Sequence, residues 1–226
     1  ADYSRTIELQ ADYAQAYYYR GGIKFEKGDY KGAIDDYTAA IRIKPDYAYA
    51  FNDRGSALLE LKDYDNAIKD YNTALVANTE MQFAYNNRAS AKRKKGDYEG
   101  AINDYTEAIN HKKDYYIAYN NRGSTKFDNG DYKGAIDDFG LAIKYKSDYD
   151  FAFNNRAVAK YSLKDYQGCV DDCTKAIGIN SNYGYAYLNR GIAKEMLRDY
   201  NGSCDDFKKA AELGIEIAKT YSDQCK

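Results

Sequence analysis

Between Ala14 and Tyr47 the apolar positions follow a helical period. Tyr17, Gly21 and the pair Ile23-Lys24 fall on the turn spacing of one helix. Gly28-Asp29-Tyr30 interrupts it. Ala33, Ile34, Tyr37, Ala40 and Ile41 then recur at three- and four-residue intervals, giving a second helix one apolar face. Glycine enters the left-handed backbone of a helix C-terminus without steric cost, and an aspartate side chain caps the first free amides of the next helix. Gly28 and Asp29 therefore mark a tight turn between two helices.

The same pattern returns in one frame, without insertion. Arg20, Arg54, Arg88, Arg122, Arg156 and Arg190 stand 34 residues apart. Tyr30, Tyr64, Tyr98, Tyr132, Tyr166 and Tyr200 keep that step, as do Asp36, Asp70, Asp104, Asp138, Asp172 and Asp206. In three copies the glycine slot holds Lys62, Lys164 or Arg198. Each of these costs up to about 1 kcal/mol relative to glycine if the backbone there is left-handed.

Six helical hairpins of this length resemble the tetratricopeptide repeat family. Counting from Ala14, position 4 is Tyr17, Phe51, Tyr85, Tyr119, Phe153 and Tyr187, and position 8 is Gly21, Gly55, Ala89, Gly123, Ala157 and Gly191. Position 20 is Ala33, Ala67, Ala101, Ala135, Cys169 and Ser203, while position 27 is alanine in every copy from Ala40 to Ala210. Two departures are consistent: arginine at position 7, where the family often has leucine, and a proline at position 32 only once, Pro45. The resemblance implies an all-α fold, a right-handed solenoid of stacked antiparallel hairpins. Repeats starting at 14, 48, 82, 116, 150 and 184 would fill 14–215, with a partial second helix over 1–13 and a capping helix over 216–226. Asp2 to Ile7 aligns with Asp36 to Ile41, so the chain reads as cut from a longer array, with any targeting signal upstream. Apolar surface around Tyr3 and Ile7 would then offer weak homo-oligomer contacts through the open N-terminal repeat.

Composition narrows the function. Much of the apolar surface comes from 27 Tyr, and the mean hydropathy is -0.80 with no Trp and one Pro. A tyrosine ring packs while its hydroxyl stays wet, which suits a thin core. Repeat positions 4, 17, 24 and 34, with Tyr3 and Tyr13, absorb most of the aromatics as packing. With 33 Lys and Arg against 35 Asp and Glu there is no basic surplus to neutralise phosphates, so nucleic acid is not an expected partner. No stretch reaches the ~20 apolar residues of a membrane helix. The compartment stays open.

Catalytic chemistry finds no footing. There is no glycine-rich phosphate loop, nucleophile elbow or zinc spacing, and His111 stands alone. No enzyme activity, cofactor or metal is expected. The arginine at position 7 and aspartate at position 23 read as an ion pair between stacked hairpins, with Asp2 as one more member. Arg54 would take Asp36 of the preceding copy or Asp70 of its own. Cys169, Cys173, Cys204 and Cys225 read as buried free thiols, with a Cys204–Cys225 pair also open.

What packing leaves over lies on the first helices. In the family these line the concave face, with positions 2, 5, 6, 9, 12 and 13 pointing into it. Position 5 is Asn52, Asn86, Asn120 and Asn154, and position 6 is Asn87, Asn121, Asn155 and Asn189. Position 2 is Tyr49, Phe83, Ile117, Phe151 and Tyr185. Asparagine is a poor interior helix residue, but its carboxamide matches the donor and acceptor of a peptide group. The row is similar to the asparagine ladders in the repeats of O-GlcNAc transferase and kinesin light chain. The expected function is a protein-interaction scaffold that binds an extended protein or peptide segment in the groove. Three other readings stay open: asparagines that only link neighbouring repeats, a module that stacks end to end, and a regulatory arm of a larger protein. The lysine and arginine clamp that other members use for acidic C-termini is missing.

Overall fold

The computed structural model describes residues 2–225. Among them are fourteen α-helices and no strand, and the chain divides into two compact units. The first, ending at Lys113, holds α1 (Tyr3–Leu9), α2 (Ala14–Glu26), α3 (Tyr30–Ile43), α4 (Ala48–Glu60), α5 (Tyr64–Ala77), α6 (Gln82–Lys94) and α7 (Tyr98–His111). The second, beginning at Asp114, holds α8 (Tyr116–Asp128), α9 (Tyr132–Tyr145), α10 (Asp150–Ser162), α11 (Tyr166–Ile179), α12 (Gly184–Met196), α13 (Tyr200–Glu212) and α14 (Glu216–Asp223). Within each unit every helix packs on the next, and first helices also touch in succession: α2 on α4 on α6, and α8 on α10 on α12.

The turns form as the residues dictate. Asp29, Asp63, Asp97, Asp131, Asp165 and Asp199 each cap a second helix by accepting the amide three residues on. Each cap contributes about 1 kcal/mol. Gly28, Gly96 and Gly130 take φ of 78°, 83° and 83°, and Lys62, Lys164 and Arg198 take 63°, 65° and 64° in the same slot. Lys164→Gly should therefore raise stability by roughly 0.5–1 kcal/mol, because lost Cβ strain outweighs the freedom glycine gains when unfolded. A lower urea midpoint for the variant would contradict this.

The core of a hairpin is a ring laid over a missing side chain. Tyr37, at position 24, is buried, and a Cβ on Gly21 would meet its ring at 2.8 Å. Gly55 faces Tyr71 in the same way, Gly123 faces Phe139 and Gly191 faces Phe207. In the fifth copy the volumes exchange: Ala157 fills the glycine position and buried Cys173 replaces the ring. Not every aromatic in the packing set is covered. Tyr200, at position 17, is 61% exposed. Its counterparts Tyr30, Tyr132 and Tyr166 lie against Phe25, Phe127 and Tyr161, whereas the sixth copy has Glu195 there. Tyr13 is also exposed.

The arginine–aspartate pairs form inside each hairpin, not between stacked ones. Arg54 donates from Nε to Asp70 Oδ2 at 2.8 Å and from Nη2 to Oδ1 at 2.7 Å, and the other five copies repeat this fork. The reason is direction: position 7 of a first helix faces position 23 of the second helix it folds onto. The neighbouring copy is reached by the third nitrogen, as Arg54 Nη1 donates to Thr38 and Arg190 Nη1 to Thr174. A lysine joins most of the carboxylates: Lys24, Lys92, Lys126, Lys160 and Lys194 each stand 2.8 Å from the aspartate of their own copy. Asp2 takes no such arginine; it caps α1 through the Arg5 amide.

The cysteines separate into two classes. Cys169 and Cys173 are buried free thiols. A hydrogen bond with Cys169, and then burial, push the Cys173 thiol up, so it stays protonated. Cys204 and Cys225 form a disulfide, which corrects the free-thiol reading for these two. α14 turns back onto α13 and brings their Cα atoms to 5.6 Å, within bridging range.

Candidate functional site on the first-helix face

Position 5 residues do not face solvent. Asn52, Asn86, Asn120 and Asn154 are all buried, Asn52 to 3% exposure. The side chains of Asn52, Asn120 and Asn154 turn toward the first helix of the following copy. Asn87 Nδ2 donates to Asn52 Oδ1 at 3.3 Å, Asn155 Nδ2 to Asn120 Oδ1 at 3.0 Å, and Asn189 Nδ2 to Asn154 Oδ1 at 2.9 Å. Each of these links joins position 6 of one copy to position 5 of the copy before. Asn86 Nδ2 also donates to Asn87 Oδ1 within its own helix.

The two asparagine rows, taken together from the sequence, thus take different places. Position 5 satisfies buried polar groups between neighbouring first helices. Position 6, with Asn87, Asn121, Asn155 and Asn189, is only partly buried. A carboxamide has two N–H donors and one oxygen with two lone pairs. The links use one N–H each of Asn87, Asn155 and Asn189, and the second has no protein partner among the described residues. Inter-repeat linking and presentation of a polar row are therefore compatible in one side chain.

The first link of the first unit has different chemistry, which the asparagine pattern concealed. Tyr18 stands at position 5 and Asp53 at position 6, and the Tyr18 hydroxyl donates to Asp53 Oδ2 at 2.7 Å. Asn52 Nδ2 donates to Asp53 Oδ1 at 2.8 Å. Burial raises the pKa of Asp53, and the two hydrogen bonds oppose that rise. Burial, with the Asp53 charge behind it, also holds the Tyr18 hydroxyl protonated. The signal was available in the register: both residues occupy ladder positions.

Position 2 supplies the apolar companion row. Tyr49, Phe151 and Tyr185 are 48%, 52% and 57% exposed, and Phe83 and Ile117 are partly buried. In the first unit Tyr49 stacks on Phe83 with centroids 5.9 Å apart. In the second, Phe151 lies 5.3 Å from Tyr183. Ser56 and Ser90 bond back to the Asn52 and Asn86 carbonyls and to the Tyr71 and Tyr105 hydroxyls, so they belong to the hairpins.

His111 ends α7 with its ring stacked on Tyr85 and Nδ1 3.2 Å from Glu80. No group of metal-binding side chains occurs among the described residues, and no helix there is long and apolar enough to cross a membrane.

Helical hairpins in series, with a face of side chains not consumed by packing, define a protein-interaction module. The chain belongs to the tetratricopeptide repeat family. A TPR repeat model matches residues 21–62 and 89–130, and a tetratricopeptide repeat model matches 48–78 and 116–149. Members are generally non-enzymatic scaffolds for proteins or peptides. No curated protein gives a significant match. Among solved structures, the chain resembles one from the APC/C hetero-tetramer Cut9–Hcn1, at 13% identity and TM-score 0.80. That match covers 99% of this chain and 45% of the other, so the chain spans less than half of that relative. Pseudomonas aeruginosa pilF is similar at 15% identity and TM-score 0.79, covering 94% and 97% of the two chains. YrrB, described as a TPR protein with an unusual peptide-binding site, is similar at 18% identity and TM-score 0.64, covering 82% and 96%. Identities this low carry the fold alone.

Proposed function

We propose that the first-helix face of each unit holds an extended peptide segment, with residues 14–215 acting as six repeats between a partial helix and a cap. The position 6 carboxamides of Asn87, Asn121, Asn155 and Asn189 contact its backbone, and the position 2 row takes its apolar side chains. One observation carries this reading: rings of Phe151 and Tyr185 stand about half exposed one helical turn from Asn155 and Asn189, which each retain an unused N–H. Exposed apolar side chains next to unspent polar groups are what a peptide supplies partners for. The buried position 5 residues Asn52, Asn86, Asn120 and Asn154 hold the position 6 row in place.

Peptides selected from a random-sequence library test the proposal by fluorescence polarisation. Changing Asn87, Asn121 and Asn155 together to alanine should weaken binding by roughly 0.5–1.5 kcal/mol per hydrogen bond lost. Tyr185→Ala should weaken it with little effect on folding, because the ring is more exposed than packed. Asn87 and Asn155 also satisfy buried oxygens, so thermal unfolding of the triple variant is measured alongside. Apart from any contact at Asp53, backbone pairing predicts weak salt dependence. Selected peptides that bind all variants alike would remove the ladder from the function.

A further inference from the structure

One ladder carboxylate is partly buried without a counter-ion. Asp36, at position 23, is met by Arg20 and Lys24. Asp53 receives only neutral donors, the Tyr18 hydroxyl and the Asn52 amide, and among the described residues no lysine or arginine pairs with it. Burying a charge without a partner is costly, and here the cost is not recovered inside the hairpin. The carboxylate borders a cavity of about 360 Å³ in the first unit, lined also by Tyr3, Tyr18, Tyr19, Ile23 and Glu26. Tyr3 and Tyr19 stack with centroids 5.6 Å apart, and Tyr18 meets Tyr19 edge-on at 5.3 Å. Tyr19 is half exposed at the opening. Gly22 adds no side chain, and even a Cβ there would come no closer than 3.9 Å to its nearest neighbour, the Tyr37 hydroxyl, so the opening has room to spare.

We propose that this cavity binds the cationic side chain, lysine or arginine, of the peptide held on the first-helix face. The proposal rests on that reading for the origin of the cation; the chemistry of the cavity stands independently. Aromatic faces attract a cation through their quadrupole, and two carboxylates of one sign select charge rather than size. Each Asp53 oxygen already accepts one hydrogen bond and keeps a lone pair for a guanidinium fork or an ammonium. A bound cation would supply the compensation that the fold withholds from Asp53. A divalent metal fits less well, because most of the wall is tyrosine ring.

Nα-acetyl-arginine methylamide and Nα-acetyl-lysine methylamide, titrated into the full chain and followed by amide and ring resonances, test it. The neutral citrulline counterpart serves as control. The cationic probes should shift resonances of α2 and Asp53, and citrulline should bind at least tenfold more weakly. Asp53→Asn restores the residue that four other copies carry at position 6, so it should fold normally while weakening the cationic probes tenfold or more. Glu26→Gln, at an exposed site, should weaken them by a smaller factor, and added salt should act in the same direction. Equal binding of citrulline, no shift at the cavity, or undiminished binding by Asp53→Asn would overturn the proposal. Asn155→Ala should leave probe binding unchanged. If probes bind while no library peptide does, the cavity stands and the peptide reading falls.

Discussion

Asp138→Ala should destabilise the chain by about 3 kcal/mol, the low end of what a broken buried ion pair costs. Asp138 is 2% exposed and takes two hydrogen bonds from Arg122, at 2.9 and 2.6 Å, with Lys126 at 2.8 Å. Its removal leaves two cations side by side without their anion. Their side chains keep 15% and 21% exposure, so water partly compensates, which holds the cost at that low end. Asp138→Asn keeps the shape and loses the charge, and it separates the two contributions. A loss below about 1 kcal/mol in urea unfolding would place the pair with ordinary surface salt bridges. The first copy adds a pH signature. Burial pushes the Asp36 pKa up, but hydrogen bonds from Arg20 and Lys24 outweigh it and hold the carboxyl below its usual value. The stability it contributes is therefore complete above the unfolded pKa, near 4, and is lost as pH falls through the lower folded value. Asp36→Asn should flatten the acid limb of the stability curve.

What the sequence made legible follows the physics each residue obeys. Helix breaks, caps and left-handed turn positions depend on neighbours in sequence, and Asp29, Gly28 and Lys62 behave as their types require. Tyr37 over Gly21 was readable because both recur at fixed positions of a known hairpin. Direction was harder. Arg54 had two aspartates within register, and only side-chain orientation decides that its fork meets Asp70 while its third nitrogen meets Thr38. The asparagine rows show the same limit. Asn86 and Asn87 are adjacent and identical in type, and one helical step of about 100° buries the first and leaves the second only partly covered. Asp53 breaks the asparagine uniformity of position 6, so residue type alone does not assign it to the row. The Cys204–Cys225 bridge depends on how α14 returns to α13, a long-range placement that spacing alone leaves open.

Loss of that bridge should remove about 3 kcal/mol from the C-terminal end, and the loss should be local. Closing a loop between residues 21 apart restricts the unfolded chain by about that much. α14 has eight residues, too few for a helix to persist alone, so packing and the bridge must hold it. The packing is modest: Ala218 is buried against Leu188 and Phe207, and Tyr221 stacks on Phe207 at 4.9 Å. In a stack of repeats each hairpin depends mainly on its neighbours, so a released end frays without unfolding distant copies. Reduction should therefore expose the Phe207 face and remove hydrogen-exchange protection from α14 and the adjoining part of α13. Protection in α2 and α3 should not change. Cys204→Ser with Cys225→Ser should reproduce the effect under oxidising conditions, which separates the bridge from any action of the reductant on Cys169 and Cys173. Those thiols are buried and, at Cys173, held protonated, so they offer no ready exchange partner. If α14 keeps its protection in both the reduced protein and the double variant, packing alone secures the end and the bridge contributes little.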